Sequence, residues 1–408
     1  MLELHPSSMA HGGEAVARHD GKAHFIAGAM PGEVVLARVT EDRGSWARTS
    51  VVEIVEPSPE RRTPPCPHAL VCGGCQWQFA NIAEQREWKR DIVASQLSHI
   101  GRISEPTVHQ TVAAGPELGY RTRMDFHVVE GRAGLMRSRS NDVVPLDDCP
   151  LLHPTLQPVF ASLGDLTGVD RITLRTGIRT GRRLAVIDGA IPSQAESWGI
   201  PVAQMTGKKA RGVIGDAVLD EIVADTLFTI PIAGFFQNNT DGADSLVALA
   251  GAAADLQPGE TLFDGYCGVG LFGATVGKDA DLVLGMDTGR AAVDFARRNL
   301  TAAGVEHHYV TGSVTKDIES LDAYWDVAIV DPPRKGLGGN GIDAVTSSMP
   351  RRIVYVSCDP ASLARDARAL GEIGYDFIEA TPVDMFPQTF HVEVVATFDR
   401  RPFEVDVD

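Results

Sequence analysis

Long apolar runs, cysteines and excess positive charge are all scarce in this 408-residue chain. No stretch approaches the roughly 20 apolar residues that a membrane-spanning helix needs. The opening MLELHPSSMA lacks the basic-then-apolar pattern of a secretory signal, so a cytoplasmic location is expected. Six cysteines over this length are too few for a disulfide framework. In an intracellular enzyme, clustered cysteines are more often metal ligands or nucleophiles. A net charge of −17 excludes a protein that coats nucleic acid by bulk charge alone. No internal repeat is visible, and the length predicts two or three domains.

The charge is uneven. Residues 231–408 hold thirteen basic and twenty-seven acidic side chains, whereas residues 58–230 hold nineteen of each. Within that neutral stretch the arginines are bunched: Arg121 and Arg123; Arg132, Arg137 and Arg139; Arg171, Arg175, Arg179, Arg182 and Arg183. Each bunch alone reads as a solvated face, but together they are the best candidates for phosphate contacts.

Residues 1–57 alternate or carry β-branched residues in GGEAVARHD, KAHFIAG, EVVLARVTED and SWARTSVVEIVE, with turn residues between them. Four or five short strands in so few residues predict a small barrel. EPSPERRTPPCP, rich in proline and charge, marks a boundary. NIAEQREWKRDIVASQLSHIG predicts a helix capped by Asn81 and ended by Gly101. Residues 106–230 read as mixed α+β.

From about residue 231 strands and helices alternate, and the last two strands follow each other with no long helix between them. This pattern predicts a doubly wound α/β sheet closed by an antiparallel hairpin. CGVGLFG places Gly268, Gly270 and Gly273 after a strand, and Asp287 ends the next strand. Such a loop lets a backbone approach a ligand, while the carboxylate holds ribose hydroxyls; nicotinamide dehydrogenases share the pattern. DPPRKG at the end of the fourth strand points elsewhere. S-adenosylmethionine methyltransferases place Asp-Pro-Pro or Asn-Pro-Pro there to hold a planar base, and here Arg334 replaces the aromatic residue of enzymes that methylate exocyclic amines.

Cys358, in IVYVSCDPASLARD, falls at the tip of the fifth predicted strand beside the Asp331 strand. A thiolate there can add to carbon 6 of uracil and make carbon 5 nucleophilic towards a methyl donor. Glu393 in FPQTFHVEVV is the natural base to remove the proton from carbon 5 afterwards. CPHALVCGGCQWQ supplies Cys66, Cys72 and Cys75, and Cys149 follows in LDDCPLLHP. Four thiolates suit zinc or a cubane iron–sulfur cluster, and the flexible Gly73 and Gly74 lean towards iron. Cys267 is left for packing.

Together these segments resemble the RNA 5-methyluridine methyltransferases of the iron–sulfur-containing, 23S ribosomal-RNA-modifying type, over nearly the whole chain. The resemblance implies a TRAM domain, an OB-like RNA-binding barrel, over 1–57. It implies a central α+β iron–sulfur and RNA-binding domain over 58–230 and a class I, Rossmann-like S-adenosylmethionine-dependent methyltransferase domain over 231–408. It makes Cys66, Cys72, Cys75 and Cys149 ligands of a 4Fe-4S cluster, Cys358 the nucleophile and Glu393 the base. Gln237 of GFFQNN and Asp331 would position uracil beside Arg334. Gln237 and Asp331 would also border the cofactor, held by Tyr266, Asp287, Gly268, Gly270 and Ser313. Asp287 stands where the family usually has Glu, and Ser313 lies where an Asn-Asp pair is common. The implied partner is RNA, ribosomal first and tRNA as the rival, with no membrane and no protein partner. A non-catalytic RNA-binding or ribosome-assembly protein is the alternative from another class.

Overall fold

A computed structural model describes residues 1–207 and 209–402. The N-terminal segment forms one six-stranded sheet. The four strings read as strands fold as Ala15–His19, Lys22–Ala27, Val34–Asp42 and Trp46–Glu56. Leu2–Leu4 and Ser8–Met9 add two more, too short to show alternation in sequence. The inner face of this sheet (Leu4, Ala15, Ile26 and Val35) is buried together with Trp77, Phe79, Trp88 and Ile92 from the segment that follows.

The capped helix spans Ile82–His99, and the Asn81 side chain accepts a hydrogen bond from the Ala83 N–H. Its Val93 and Leu97 share a core with Leu363, Ala364 and Ala367 of the helix Pro360–Glu372. Gly101 lies where a Cβ would come within 3.2 Å of the Ala364 carbonyl oxygen, so a side chain would push the two segments apart. The central segment then forms a seven-stranded sheet that includes Arg123–Val129, Val169–Gly177 and Arg182–Gly189.

The C-terminal sheet carries β1 (Thr261–Gly265), β2 (Leu282–Asp287), β3 (His307–Thr311), β4 (Val327–Val330), β5 (Arg352–Ser357), β6 (Tyr375–Asp384) and β7 (Glu393–Arg400). Their spatial order is β3-β2-β1-β4-β5-β7-β6. β1 to β5 run parallel, and β7 lies antiparallel between β5 and β6. β4 is the fully buried run VAIV, as a strand covered on both faces requires. Beyond β6 the two residues Val112–Ala113 add a last parallel strand, so the central segment extends this sheet.

The expected change of pattern at residue 231 is not a gap in the packing. The hairpin Leu219–Val223 and Thr226–Ile230 buries Val223, Phe228 and Ile230 in one core with Leu262, Val283 and Val293. The Asn299 side chain closes that contact, accepting from the Thr229 N–H at 3.0 Å and donating to its carbonyl at 3.2 Å. Among the described residues no helix is long and apolar enough to cross a membrane.

Between β6 and β7 the chain is anchored by buried polar contacts. Lys89 Nζ lies 2.5 Å from Asp384 Oδ1, both side chains are fully buried, and the same ammonium donates to the Phe386 carbonyl. Gln388 has φ +69°, rare without a glycine, and is held there from several sides. Its N–H donates to Gln85 Oε1, its carbonyl accepts from the Gln76 and Trp77 N–H groups, and its Oε1 accepts from Arg62 and Gln85. Removing Lys89 takes away the nearest cation of the buried Asp384 carboxylate and leaves it only Arg86, at 3.4 Å. Lys89→Met is therefore expected to lower stability by about 3 kcal/mol. Lys89→Met combined with Asp384→Leu is expected to recover most of that loss, as read by urea denaturation of both variants and the parent.

Candidate active site

The carboxyl edge of the parallel strands gathers most of the residues singled out from sequence. Ser357 pairs with Val394 across β5 and β7, so Cys358 and Glu393 lie next to each other beyond that register pair. The charges of Glu393 and Asp331 act on Cys358, that of Asp331 acts on Glu393, and the positive charge of Arg334 acts on both Cys358 and Glu393. Cys358 is half-buried at the rim rather than enclosed in the core. Burial, then the charges of Glu393 and Asp331, push its thiol up to about 12, against the pull of Arg334. Burial pushes the Glu393 carboxyl well above the usual carboxylate range, and Asp331 adds to this. Asp331 is raised to about 7 by burial and by Asp264.

The glycine loop sits beside this cluster. Asp331 N–H donates to the Gly265 carbonyl at 3.2 Å, tying the DPPRKG loop to the end of β1. Tyr266 takes the left-handed conformation, φ +63°, while its N–H and that of Cys267 both point at the Met286 carbonyl. Asp287 accepts from the Gly268 N–H at 3.2 Å through Oδ2 and from the Gly289 N–H at 2.7 Å through Oδ1. A Cβ on Gly270 would lie 2.6 Å from the Leu300 side chain, so any larger residue there would also disturb the packing beneath the loop. A Cβ on Gly268 would meet no atom within 4 Å, so the space above it is open to a ligand. Ser313 follows β3 on the same edge, and its N–H donates to Asp317 Oδ2 at 2.7 Å. Cys267 is buried, as a packing residue should be.

Gln237 makes no hydrogen bond to this cluster. Its carbonyl accepts from the Thr122 hydroxyl at 3.5 Å, and no hydrogen bond joins its amide to Cys358, Glu393 or Asp331. The neighbouring Asn239 links its segment to the base-bearing loop by donating to the Met385 carbonyl at 3.0 Å.

Several residues escaped the sequence reading. Asp264 is buried under the glycine loop, where it accepts from the Tyr309 hydroxyl at 2.7 Å and the Gly273 N–H at 3.0 Å. Asp366 accepts from the Leu337 N–H at 2.7 Å and the Tyr355 hydroxyl at 2.8 Å, bracing the chain after DPPRKG. His391, two residues before Glu393, is lowered to about 4 by burial and then by Arg334, so it is neutral near pH 7. The aspartates in FDGYCGVG and SLARD were visible signals, since a carboxylate in an otherwise apolar run needs a partner.

Cys66, Cys72, Cys75 and Cys149 all line one cavity, together with Arg121, Leu135 and Leu146. Among the described residues, no group of three or more His, Cys, Asp or Glu side chains is arranged to hold a metal ion. Burial raises the Cys72 thiol, pushes Cys75 to about 12 and pushes Cys149 to about 11. Arg121 Nε is buried beside them without a hydrogen-bond partner.

Asp331 offers a check on this electrostatic description. Its folded pKa is raised from an ordinary 3.8 to about 7, so the folded state holds the proton more tightly than the unfolded chain. That contribution is complete below the unfolded value and is lost as pH rises through the folded one. Asp331→Asn removes the dependence. The stability of the parent relative to this variant is expected to fall by roughly 1–3 kcal/mol between pH 4 and pH 8, allowing for solvent access. Thermal unfolding of both proteins across that range measures it.

Known proteins resemble this chain. Residues 222–401 match the family described as tRNA (Uracil-5-)-methyltransferase. An uncharacterized RNA methyltransferase of Gloeobacter violaceus is 33% identical, covering 97% of this chain and 95% of its own. One from Thermosynechococcus vestitus is also 33% identical, with 97% of each chain covered. The crystal structure of Pyrococcus abyssi tRNA (uracil-54, C5)-methyltransferase in complex with S-adenosyl-L-homocysteine has the same fold. It superposes with a TM-score of 0.77 at 24% identity, covering 97% of this chain and 100% of that one. With relatives of this similarity along its length, the chain belongs to the RNA uracil-5-methyltransferase family of S-adenosylmethionine-dependent enzymes.

Proposed function

We propose that the protein methylates carbon 5 of a uridine in RNA through a transient bond between Cys358 and carbon 6, with 23S ribosomal RNA as the favoured substrate. The observation that carries this reading is the placement of Cys358 and Glu393 next to each other on adjacent strands, at the edge that also holds Asp331 and the open Gly268 loop.

S-adenosylmethionine, when bound, supplies the methyl group. Tyr266, Gly268, Gly270, Asp287 and Ser313 would hold it, with Gln237 and Asp331 at its border with the base. The Cys358 thiolate adds to C6, and the π electrons of the C5–C6 bond move to C5 and the adjacent carbonyl oxygen. Asp331, raised to about 7, is protonated in a large share of molecules near neutrality. In that form it donates a hydrogen bond to a uracil carbonyl, where negative charge develops. Carbon 5 then takes the methyl group. Glu393 removes the proton from C5, its bonding pair restores the C5–C6 double bond, and the pair of the C6–sulfur bond departs on Cys358. Arg334 draws both Cys358 and Glu393 towards their reactive, ionised states.

Residues 1–57 would act as the TRAM-type RNA-binding domain, 58–230 as the central RNA-binding domain and 231–408 as the catalytic domain. Cys66, Cys72, Cys75 and Cys149 would hold a 4Fe-4S cluster, a reading supported by their shared cavity and by the adjacent cation. The methyl transfer moves electron pairs only, so the role assigned to the cluster is to shape the central domain's RNA-binding face. Transfer RNA is the second reading, favoured by the description of the matched family. A target buried in duplex would first have to leave its stack, which favours loops and bulges in either RNA.

Cys358→Ala is expected to abolish methylation and any covalent RNA adduct. Glu393→Gln is expected to transfer the methyl group and then stall as an adduct visible on a denaturing gel. Normal turnover by Cys358→Ala would rule out the covalent route. Mass-spectrometric mapping of 5-methyluridine in ribosomal and transfer RNA, from cells with and without the protein, decides between the two substrates. Oxidative loss of the cluster is expected to weaken RNA binding in a filter assay while S-adenosylhomocysteine binding in calorimetry persists; equal loss of both contradicts the assigned role.

A further inference from the structure

The N-terminal sheet reaches the reacting edge through one turn, residues 10–14. The turn is closed by Gly13 N–H donating to the Ala10 carbonyl at 3.1 Å and Ala10 N–H donating to the Glu14 carbonyl at 2.8 Å. Trp77 Nε1 donates to the Gly13 carbonyl at 3.0 Å and fixes the turn from below. Gly13 has φ +88°, and a Cβ there would lie 3.1 Å from the Phe390 ring, so only glycine allows this approach. The turn thereby presents His11 to two segments at once. His11 Nε2 lies 3.2 Å from Asp359 Oδ2, and its ring meets Phe390 edge-on with centroids 6.0 Å apart. Asp359 directly follows Cys358, and Phe390 lies three residues before Glu393.

We propose that His11 is a positioning residue for methyl transfer, through which the N-terminal sheet holds the segment of the nucleophile in register with the segment of the base. This rests on the covalent reading of the site given above. Asp359 serves two partners. Oδ1 accepts from the Ser362 N–H at 2.8 Å and caps the helix Pro360–Glu372, while Oδ2 meets His11. The His11 contact is also the main cause of the depressed Asp359 carboxyl pKa. Asp359 therefore stays ionised beside a thiol that already faces Glu393 and Asp331, and whose ionisation Asp359 further opposes. With His11 in place, that carboxylate is directed towards the turn and shares its charge there. Without it, Oδ2 loses its side-chain partner, and the cap and the adjacent Cys358 lose one of their constraints. The Phe390 contact extends the same constraint to the loop of the base. A misplacement of about 1 Å between reacting groups costs roughly a hundredfold in rate.

The test compares the full-length protein with His11→Ala, His11→Gln and Asp359→Asn, using 23S ribosomal RNA and tRNA transcribed with 5-fluorouridine. Fluorine at C5 replaces the proton that Glu393 would remove, so the adduct accumulates and its rate is read directly. At saturating RNA and S-adenosylmethionine, His11→Ala is expected to form the adduct about tenfold more slowly. Its RNA dissociation constant by filter binding is expected to stay within about twofold of the parent. Iodoacetamide labelling of Cys358 in the RNA-free protein, corrected with Cys358→Ala, is expected to change in His11→Ala as well, and His11→Gln, which keeps an N–H donor, is expected to restore much of both rates. Combining His11→Ala with Asp359→Asn is expected to cost less than the sum of the two. Should His11→Ala fail to fold, His11→Gln with Asp359→Asn carries the same comparison. Unchanged adduct formation at saturating RNA, or a loss explained wholly by weaker RNA binding, overturns the inference. A parent protein that forms no adduct with either RNA instead removes the covalent reading, and this inference with it.

Discussion

The antiparallel pairing of β5 with β7 is the constraint on which the site depends. Each strand alone ends at the edge of the sheet with one functional side chain. Their register sets Cys358 beside Glu393 and leaves both next to the loop after β4. Slipping the pair by one residue would turn each side chain to the opposite face. A thiol and two carboxyls then share this rim with the exposed Arg334, and burial becomes the largest influence on each acid.

That register is maintained by contacts from far away in the chain. The segment from Asp384, where β6 ends, to Val392 carries no helix or strand past its first residue, and a free loop would leave the start of β7 poorly placed. Instead Lys89, Arg86, Gln85, Arg62, Tyr120 and Trp77 all bond to it, five of them through side chains. These are costly groups to bury, and each is offset by a partner. The helix Ile82–His99 supplies three of them while also packing against the helix that follows the nucleophile. One element thus steadies both sides of the rim, and the central segment cannot be treated as a separable appendage of the catalytic sheet.

How far this was legible in sequence follows from the physics of each signal. The glycine loop, the apolar runs of β4 and β5 and the cap at Asn81 are local, so they can be read from a few neighbouring residues. The final hairpin was legible because no helix-length segment separates β6 from β7. Asp331 and Cys358 could be placed at the sheet edge from sequence because each directly follows such a run. The strand Val112–Ala113 was not, since two residues carry no period. Nor was the role of the hairpin at 219–230, whose pattern says that one face is buried but not against which helix. Lys89 and Asp384 were invisible for a different reason. In isolation each reads as a solvated charge, and only the fold, bringing together positions 295 apart, makes them a pair.

The same distinction explains why Asp359 is informative. Its local role is that of a helix cap before proline, and that role is complete: Oδ1 accepts from the Ser362 N–H, and Pro360 begins the helix. A cap uses one carboxylate oxygen. The second oxygen is left to the tertiary structure, and here it faces a histidine 348 residues earlier in the chain. A carboxylate beside a buried thiol opposes formation of the thiolate, and Asp359 does so for Cys358. The His11 contact meets that charge from the N-terminal sheet, so one carboxylate joins the first turn of a helix to a segment at the opposite end of the sequence.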